Sequence, residues 1–235
     1  MSKTRAGLIL IGLLIATGPA AVDGAMEDES NLVATEMIVG MQTVKPGETF
    51  WVGVQFTIKP HWHIYWHNPG DSGMATDIDW TVPEGWRVSE LHWPIPTRFS
   101  QPGDIVGYGY ENQVTLLARV TVPQDARVGQ SFALAASPTW LVCKDVCLPG
   151  ESHLKATVRV GEASKPQHAE HFKKAAALVP KTDAAKVTET QAGSLTKVEM
   201  KFDQPVKDLA TFPFSSSIAV AMAPTVDPAA PKTVR

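Results

Sequence analysis

The chain has 235 residues, 44% of them hydrophobic and 19% charged, which is enough apolar material for a core and too little charge for a disordered polymer. Lys+Arg 21 against Asp+Glu 24 gives a net charge of -3, so there is no basic stripe to grip nucleic acid and no polybasic patch for an anionic membrane. The 18 prolines and 17 glycines favour short strands and frequent turns over long helices.

In chain order, Lys3 and Arg5 precede an uncharged run from Ala6 to Gly18 and then the small-residue stretch Pro19-Ala20-Ala21. This is the pattern of a secretory signal peptide, expected within residues 1–24. Cleavage after Ala20 would remove two cations and move the net charge from -3 to -5. The run is too short to span a bilayer, and no later segment approaches the roughly 18 apolar residues a membrane helix needs, so the mature chain is expected without a membrane span. Export implies the periplasm in a Gram-negative cell, where disulfides persist.

Past this segment the hydrophobic period is two. Phe50, Val52, Val54, Phe56 and Ile58 alternate with Trp51, Gly53, Gln55, Thr57 and Lys59, as in a strand with one buried face. The alternation recurs at 78–82, 114–122, 132–136 and 154–160, separated by Pro83-Glu84-Gly85, Pro102-Gly103 and Pro149-Gly150. Seven to nine short strands predict an all-β fold, an immunoglobulin-like antiparallel β-sandwich over residues 31–162. One short helix and linker follow at 163–181, because Phe172, Ala175, Ala176 and Val179 recur at helical spacing before Pro180. The composition then turns to Thr, Ala, Asp and Gly, and residues 193–235 read as an incomplete second β unit or tail.

The two cysteines lie four positions apart, at Cys143 and Cys147, in the segment Thr139-Trp140-Leu141-Val142-Cys143-Lys144-Asp145-Val146-Cys147-Leu148-Pro149-Gly150. It falls between two strand patterns, so a turn near solvent is expected, with both sulfurs accessible. A turn of this length brings two Cα atoms within disulfide range. The spacing leaves three uses open: redox exchange, a small structural staple, or metal binding. Lys144 beside the first sulfur favours a thiolate and Asp145 opposes it, while Trp140 is near enough to wall the site. A second constellation is His61-Trp62-His63-Ile64-Tyr65-Trp66-His67. On a strand, His61, His63, Tyr65 and His67 would share one face, and two imidazoles at i and i+2 could hold a metal such as copper together with Met74 or the thiolates. An exposed histidine face beside an aromatic core stripe explains the same pattern with no cofactor.

Five blocks, His63-Ile64-Tyr65-Trp66, Asn68-Pro69-Gly70-Asp71-Ser72-Gly73, Ile78-Asp79-Trp80, Tyr108-Gly109-Tyr110-Glu111 and Trp140 to Pro149, occur in an order that resembles the N-terminal periplasmic domain of the DsbD-like protein-disulfide reductases, nearest the ScsB (suppressor of copper sensitivity) branch. The resemblance covers about residues 31 to 180. It implies an immunoglobulin-like domain with a redox-active cysteine pair, acting as a protein-disulfide reductase that takes electrons from a transmembrane reductase domain and passes them to periplasmic thioredoxin-like proteins. It also brings the family's settings, copper tolerance and cytochrome c biogenesis. The multi-helix membrane domain and C-terminal thioredoxin-like domain of a full-length reductase are not read in this sequence, which implies a fragment, a stand-alone relative served by a separate membrane protein, or a domain that has lost its electron supply and does something else. By position, Cys147 is implied as the sulfur that forms mixed disulfides and Cys143 as the one that resolves them. The segment from Arg98 to Tyr110 occupies the place of a shielding loop, with Phe99, Tyr108 and Tyr110 as the aromatics available for it. The rivals to this reading are a copper-binding module using His61, His63 and the thiols, and a structural sandwich with an inert disulfide.

Overall fold

A computed structural model describes residues 32–101, 103, 105–181, 185–193, 195–203, 205, 212, 226–227 and 230–234. The expected signal peptide, residues 1–24, lies outside them. The strands are β1 (Val33–Val39), β2 (Met41–Val44), β3 (Thr49–Ile58), β4 (His63–Gly70), β5 (Asp77–Thr81), β6 (Arg87–Val88), β7 (Thr97–Gln101), β8 (Ile105–Glu111), β9 (Gln113–Thr121), β10 (Ser131–Cys143), β11 (Cys147–Glu151), β12 (Leu154–Val160) and β13 (Lys165–Pro166). Helix α1 (Ala169–Ala177) follows, and then β14 (Ala185–Ala192), β15 (Leu195–Phe202), β16 (Val226–Asp227) and β17 (Ala230–Val234). This is the expected immunoglobulin-like sandwich, with one short helix and a β-type C-terminal segment.

The alternating residues explain the sandwich. One sheet runs β1-β3-β9-β6, and the other runs β13-β2-β12-β10-β4-β8-β7 with β5 and β11 also paired to β10. From β3, Val54 and Phe56 meet Ile64, Trp66, Tyr110, Trp140 and Val142 of the facing sheet, while Val52 and Phe50 meet Leu134, Val158 and Val160 further along. The ring of Phe56 stands edge-on to that of Trp140 at 5.7 Å between centroids. Period-two burial therefore closes one core between two layers.

The other face of the β3–β9 sheet is not left to water. Helix α1 lays Phe172 and Ala175 onto Ile38 and Leu117, with Trp51 at the margin. Its helical apolar spacing covers the odd-numbered residues of β9, and burial of Phe172 alone contributes about 1.5–3 kcal/mol.

Strand β10 organises the site because it changes partners midway. Along one edge it pairs with β12 over Ser131–Ala136 and then with β11 over Thr139–Cys143. Along the opposite edge it pairs with β5 over Ala135–Thr139 and then with β4 at Val142 and Cys143. Its last residue therefore lies between two strands.

Between the helix and the segment read as a second β unit, residues 185–192, to which no element was assigned, form β14, which pairs residue by residue with β15 in a four-stranded sheet ordered β14-β15-β17-β16. The strand carries a single large apolar residue, Val187, and that one is exposed, so hydrophobic alternation had nothing to report.

Candidate functional site

Cys143 ends β10 and Cys147 begins β11, so Lys144, Asp145 and Val146 form the tip of a hairpin and the two cysteines face each other across it as register partners. They are joined by a disulfide, with the Cα atoms 4.2 Å apart. The tip is held by the Lys144 N–H donating to the Val146 carbonyl at 3.0 Å. Lys144 and Asp145 are exposed, as is the apolar Val146.

The expectation that both sulfurs face solvent needs correction. Cys147 is exposed, but Cys143 is completely buried. The cause is the second partner of β10: Cys143 lies in register with His63 of β4 on the side away from Cys147. His63 in turn pairs with Glu111 of β8, and Tyr65 with Gly109. Register partners share a face, so Cys147, Cys143, His63 and Glu111 form one row across four strands.

The neighbouring rows on this face are shaped by glycine. Phe99 of β7 pairs with Gly107 of β8. With Gly107 and Gly109 both lacking side chains, the Phe99 ring lies over Gly107 and reaches His63 at 4.2 Å and Tyr65 at 6.0 Å between centroids. Gly73, at φ 99, sits against the Tyr65 ring from the other side, and Asp71 fixes that loop to β8 by accepting from the Val106 N–H and donating its own N–H to the Val106 carbonyl, both at 2.8 Å.

Strand parity then sorts the expected aromatics. Phe99 is on the cysteine face. Tyr108, Tyr110 and Trp140 point the other way, into the core: Tyr110 is buried and donates to the Pro94 carbonyl at 2.8 Å, Tyr108 packs on Trp66 and Phe212, and Trp140 packs on Phe56. Trp140 therefore supports the hairpin from beneath, against Gly150, and does not wall the sulfurs as expected. Burial raises the Tyr110 phenol far above its ordinary range.

The histidine pattern is also corrected. His61 precedes β4 in a turn, at φ 70, and is exposed, whereas His63 is on the strand and buried. The two do not form an i, i+2 pair on one strand face, because His61 lies in the turn before β4 begins, and Phe99 packs on His63. Among the described residues no group of three or more His, Cys, Asp and Glu is placed to hold a metal ion. Burial among aromatic rings holds the His63 imidazole below its ordinary pKa, with Glu111 pulling more weakly upward. The signal that could have revealed the covered face is the Gly107-Tyr108-Gly109-Tyr110 alternation, a strand with one empty side.

A five-residue disulfide loop constrains the unfolded chain by only about 2 kcal/mol. The Cys143→Ser/Cys147→Ser double variant is therefore expected to stay folded and lose about 4 to 8 °C in Tm by calorimetry, at roughly 2–4 °C per kcal/mol. A loss near 5 kcal/mol would make the pair a structural staple.

An immunoglobulin-like sandwich carrying one exposed and one buried cysteine, joined across a hairpin, has the arrangement that thiol-disulfide exchange requires. The chain belongs to the family of the N-terminal domain of the thiol:disulfide interchange protein DsbD, whose model matches residues 29–159. Among solved structures it is similar to the N-terminal periplasmic domain of ScsB from Proteus mirabilis, at 21% identity and a TM-score of 0.54, covering 74% of this chain and 66% of that one. It is also similar to the reduced N-terminal domain of DsbD from Neisseria meningitidis, at 16% identity and a TM-score of 0.30, covering 56% of this chain and 90% of that one. The chain thus spans just under two thirds of the ScsB domain. No curated protein sequence matches it.

Proposed function

We propose that this domain carries electrons in the periplasm from a transmembrane thiol-disulfide reductase to thioredoxin-like proteins through Cys143 and Cys147. The observation that carries the reading is the unequal exposure of the two bonded cysteines, Cys147 exposed and Cys143 buried. In the reduced domain, the exposed Cys147 thiolate attacks one sulfur of a partner disulfide and expels the other as a thiolate. Cys143 then loses its proton and attacks Cys147 Sγ. The partner's second thiolate leaves, the partner has gained two electrons, and the domain is left as the disulfide. A membrane dithiol restores it by the reverse sequence. Phe99 covers the row between exchanges and limits access by unrelated thiols.

Periplasmic placement is supported by the leader pattern of residues 1–24 and by the description of the ScsB domain as periplasmic. Among the described residues no helix is long and apolar enough to cross a membrane.

Equilibration of the domain with glutathione buffers, read by mass spectrometry, should give a reversible couple with a potential between roughly -180 and -300 mV, and the reduced domain should reduce an oxidised thioredoxin-like protein. A potential well below about -300 mV, with no transfer, would identify an inert disulfide.

A further inference from the structure

His63 is the titratable side chain in register with Cys143 on β4, and the exchange sequence above leaves it unused. It is 7% exposed, it stands directly across the β4–β10 pairing from Cys143, and its Nε2 is buried with no hydrogen-bond partner. An unsatisfied buried ring nitrogen costs about 1–3 kcal/mol of desolvation, and packing alone would be served as well by phenylalanine. Directly opposite residues in an antiparallel pair have Cβ atoms about 4.5–5.5 Å apart, close enough for an imidazole to meet a neighbouring thiol. The same covering that buries His63 deprives Cys143 of water, so the proton on a reduced Cys143 has no solvent to leave to.

We propose that His63 is the general base and acid for Cys143: its unpartnered ring nitrogen takes the Cys143 thiol proton as Cys143 attacks Cys147, and returns it when the disulfide is reduced. The assignment rests on the exchange reading given above. The step balances. The S–H bond of Cys143 breaks and its proton moves to the imidazole. The Cys143–Cys147 bond forms as the bond from Cys147 to the partner sulfur breaks, and the departing thiolate accepts a proton from the imidazolium or from water.

The groups facing His63 are Glu111 in register on β8, Tyr65 on its own strand and Cys143 on β10, while β7 presents the uncharged Phe99. Among the described residues facing His63, Glu111 brings the formal charge, and it stabilises the imidazolium once formed. Burial favours the neutral ring and so keeps it ready to accept a proton at neutral pH.

The test uses 5,5'-dithiobis(2-nitrobenzoate) on the reduced full chain. Cys147 releases one thionitrobenzoate in forming a mixed disulfide, and attack by Cys143 releases the second, so the second phase reports the resolving step alone. In the wild type this phase should be fast and flat with pH above neutrality, falling as the imidazole becomes protonated in acid. In His63→Phe and His63→Gln it should slow by about 10- to 100-fold at pH 7 and climb about tenfold per pH unit, as direct deprotonation by hydroxide takes over. Variants that match the wild type in rate and profile overturn the assignment while leaving exchange intact. A wild type that releases no second thionitrobenzoate overturns the exchange reading itself. If both variants fail to fold, NMR titration of the His63 ring in the wild type decides: its pKa should differ between the oxidised and reduced protein, and identical titrations overturn the proposal.

Discussion

Replacing Cys143 by Ser should leave a domain that captures partners on Cys147 and cannot let them go, and replacing Cys147 by Ser should abolish capture almost entirely. The asymmetry follows from exposure, since Cys147 is exposed at the start of β11 and Cys143 is fully buried between β11 and β4. A thiolate must reach the partner's sulfur, and a residue covered on both flanks does not. With an oxidised thioredoxin-like protein, Cys143→Ser should accumulate a dithiothreitol-sensitive adduct on non-reducing gels, while Cys147→Ser should show at least tenfold less. Turnover should vanish in both, because each retains only one of the two sulfurs that share the electron pair. Equal trapping by the two variants would void the division of roles and would require an opening motion that exposes Cys143.

The core strands β3, β5, β9, β10 and β12 were legible because each carries alternation over five or more residues, as Phe50 to Ile58 does, whereas β8 was read as part of a shielding loop. The helix was legible from the spacing of Phe172 and Ala175. What the sequence hid were the places where a distant segment decides exposure. His63 sits in a run that alternates as an amphipathic strand would, yet both faces of β4 are buried near it, one by the core and one by Phe99, which lies 36 residues further along the chain. The alternation at 132–136 ends at Ala136, two residues before Pro138, whereas β10 continues to Cys143. The proline is accommodated in the gap where β10 leaves β12 and takes up β11, and its carbonyl accepts the Ser152 N–H at 3.1 Å. Without that continuation the cysteines read as a loop, and the covering of Cys143 by β4 was out of view. The three aromatics between Phe99 and Tyr110 were indistinguishable by composition. Only the register of β7 on β8 and of β8 on β4 separates Phe99 from the two tyrosines.

That register makes a prediction about two glycines that look alike in the sequence. A methyl group added at Gly109 would strike the Ile64 carbonyl oxygen and the backbone of Tyr65, whereas the atoms nearest to one added at Gly107 all belong to the ring of Phe99. Backbone in a paired strand cannot retreat without breaking the β4–β8 ladder, but an aromatic side chain at a sheet edge can rotate away. Gly109→Ala should therefore cost about 3 kcal/mol, the upper end of ordinary overpacking, and lower Tm by about 6 to 12 °C. Gly107→Ala should cost about 1 kcal/mol, and its main effect should be chemical: with Phe99 displaced from His63, the Cys143–Cys147 disulfide should be reduced by glutathione several-fold faster. Phe99→Ala should reproduce that acceleration, and combining it with Gly107→Ala should add nothing further, because both act through the same ring. Thermal melts together with glutathione reduction rates separate the two positions. If Gly107→Ala proves as destabilising as Gly109→Ala, or leaves the reduction rate unchanged, Phe99 is a fixed part of the sheet packing and not the cover over the cysteine row.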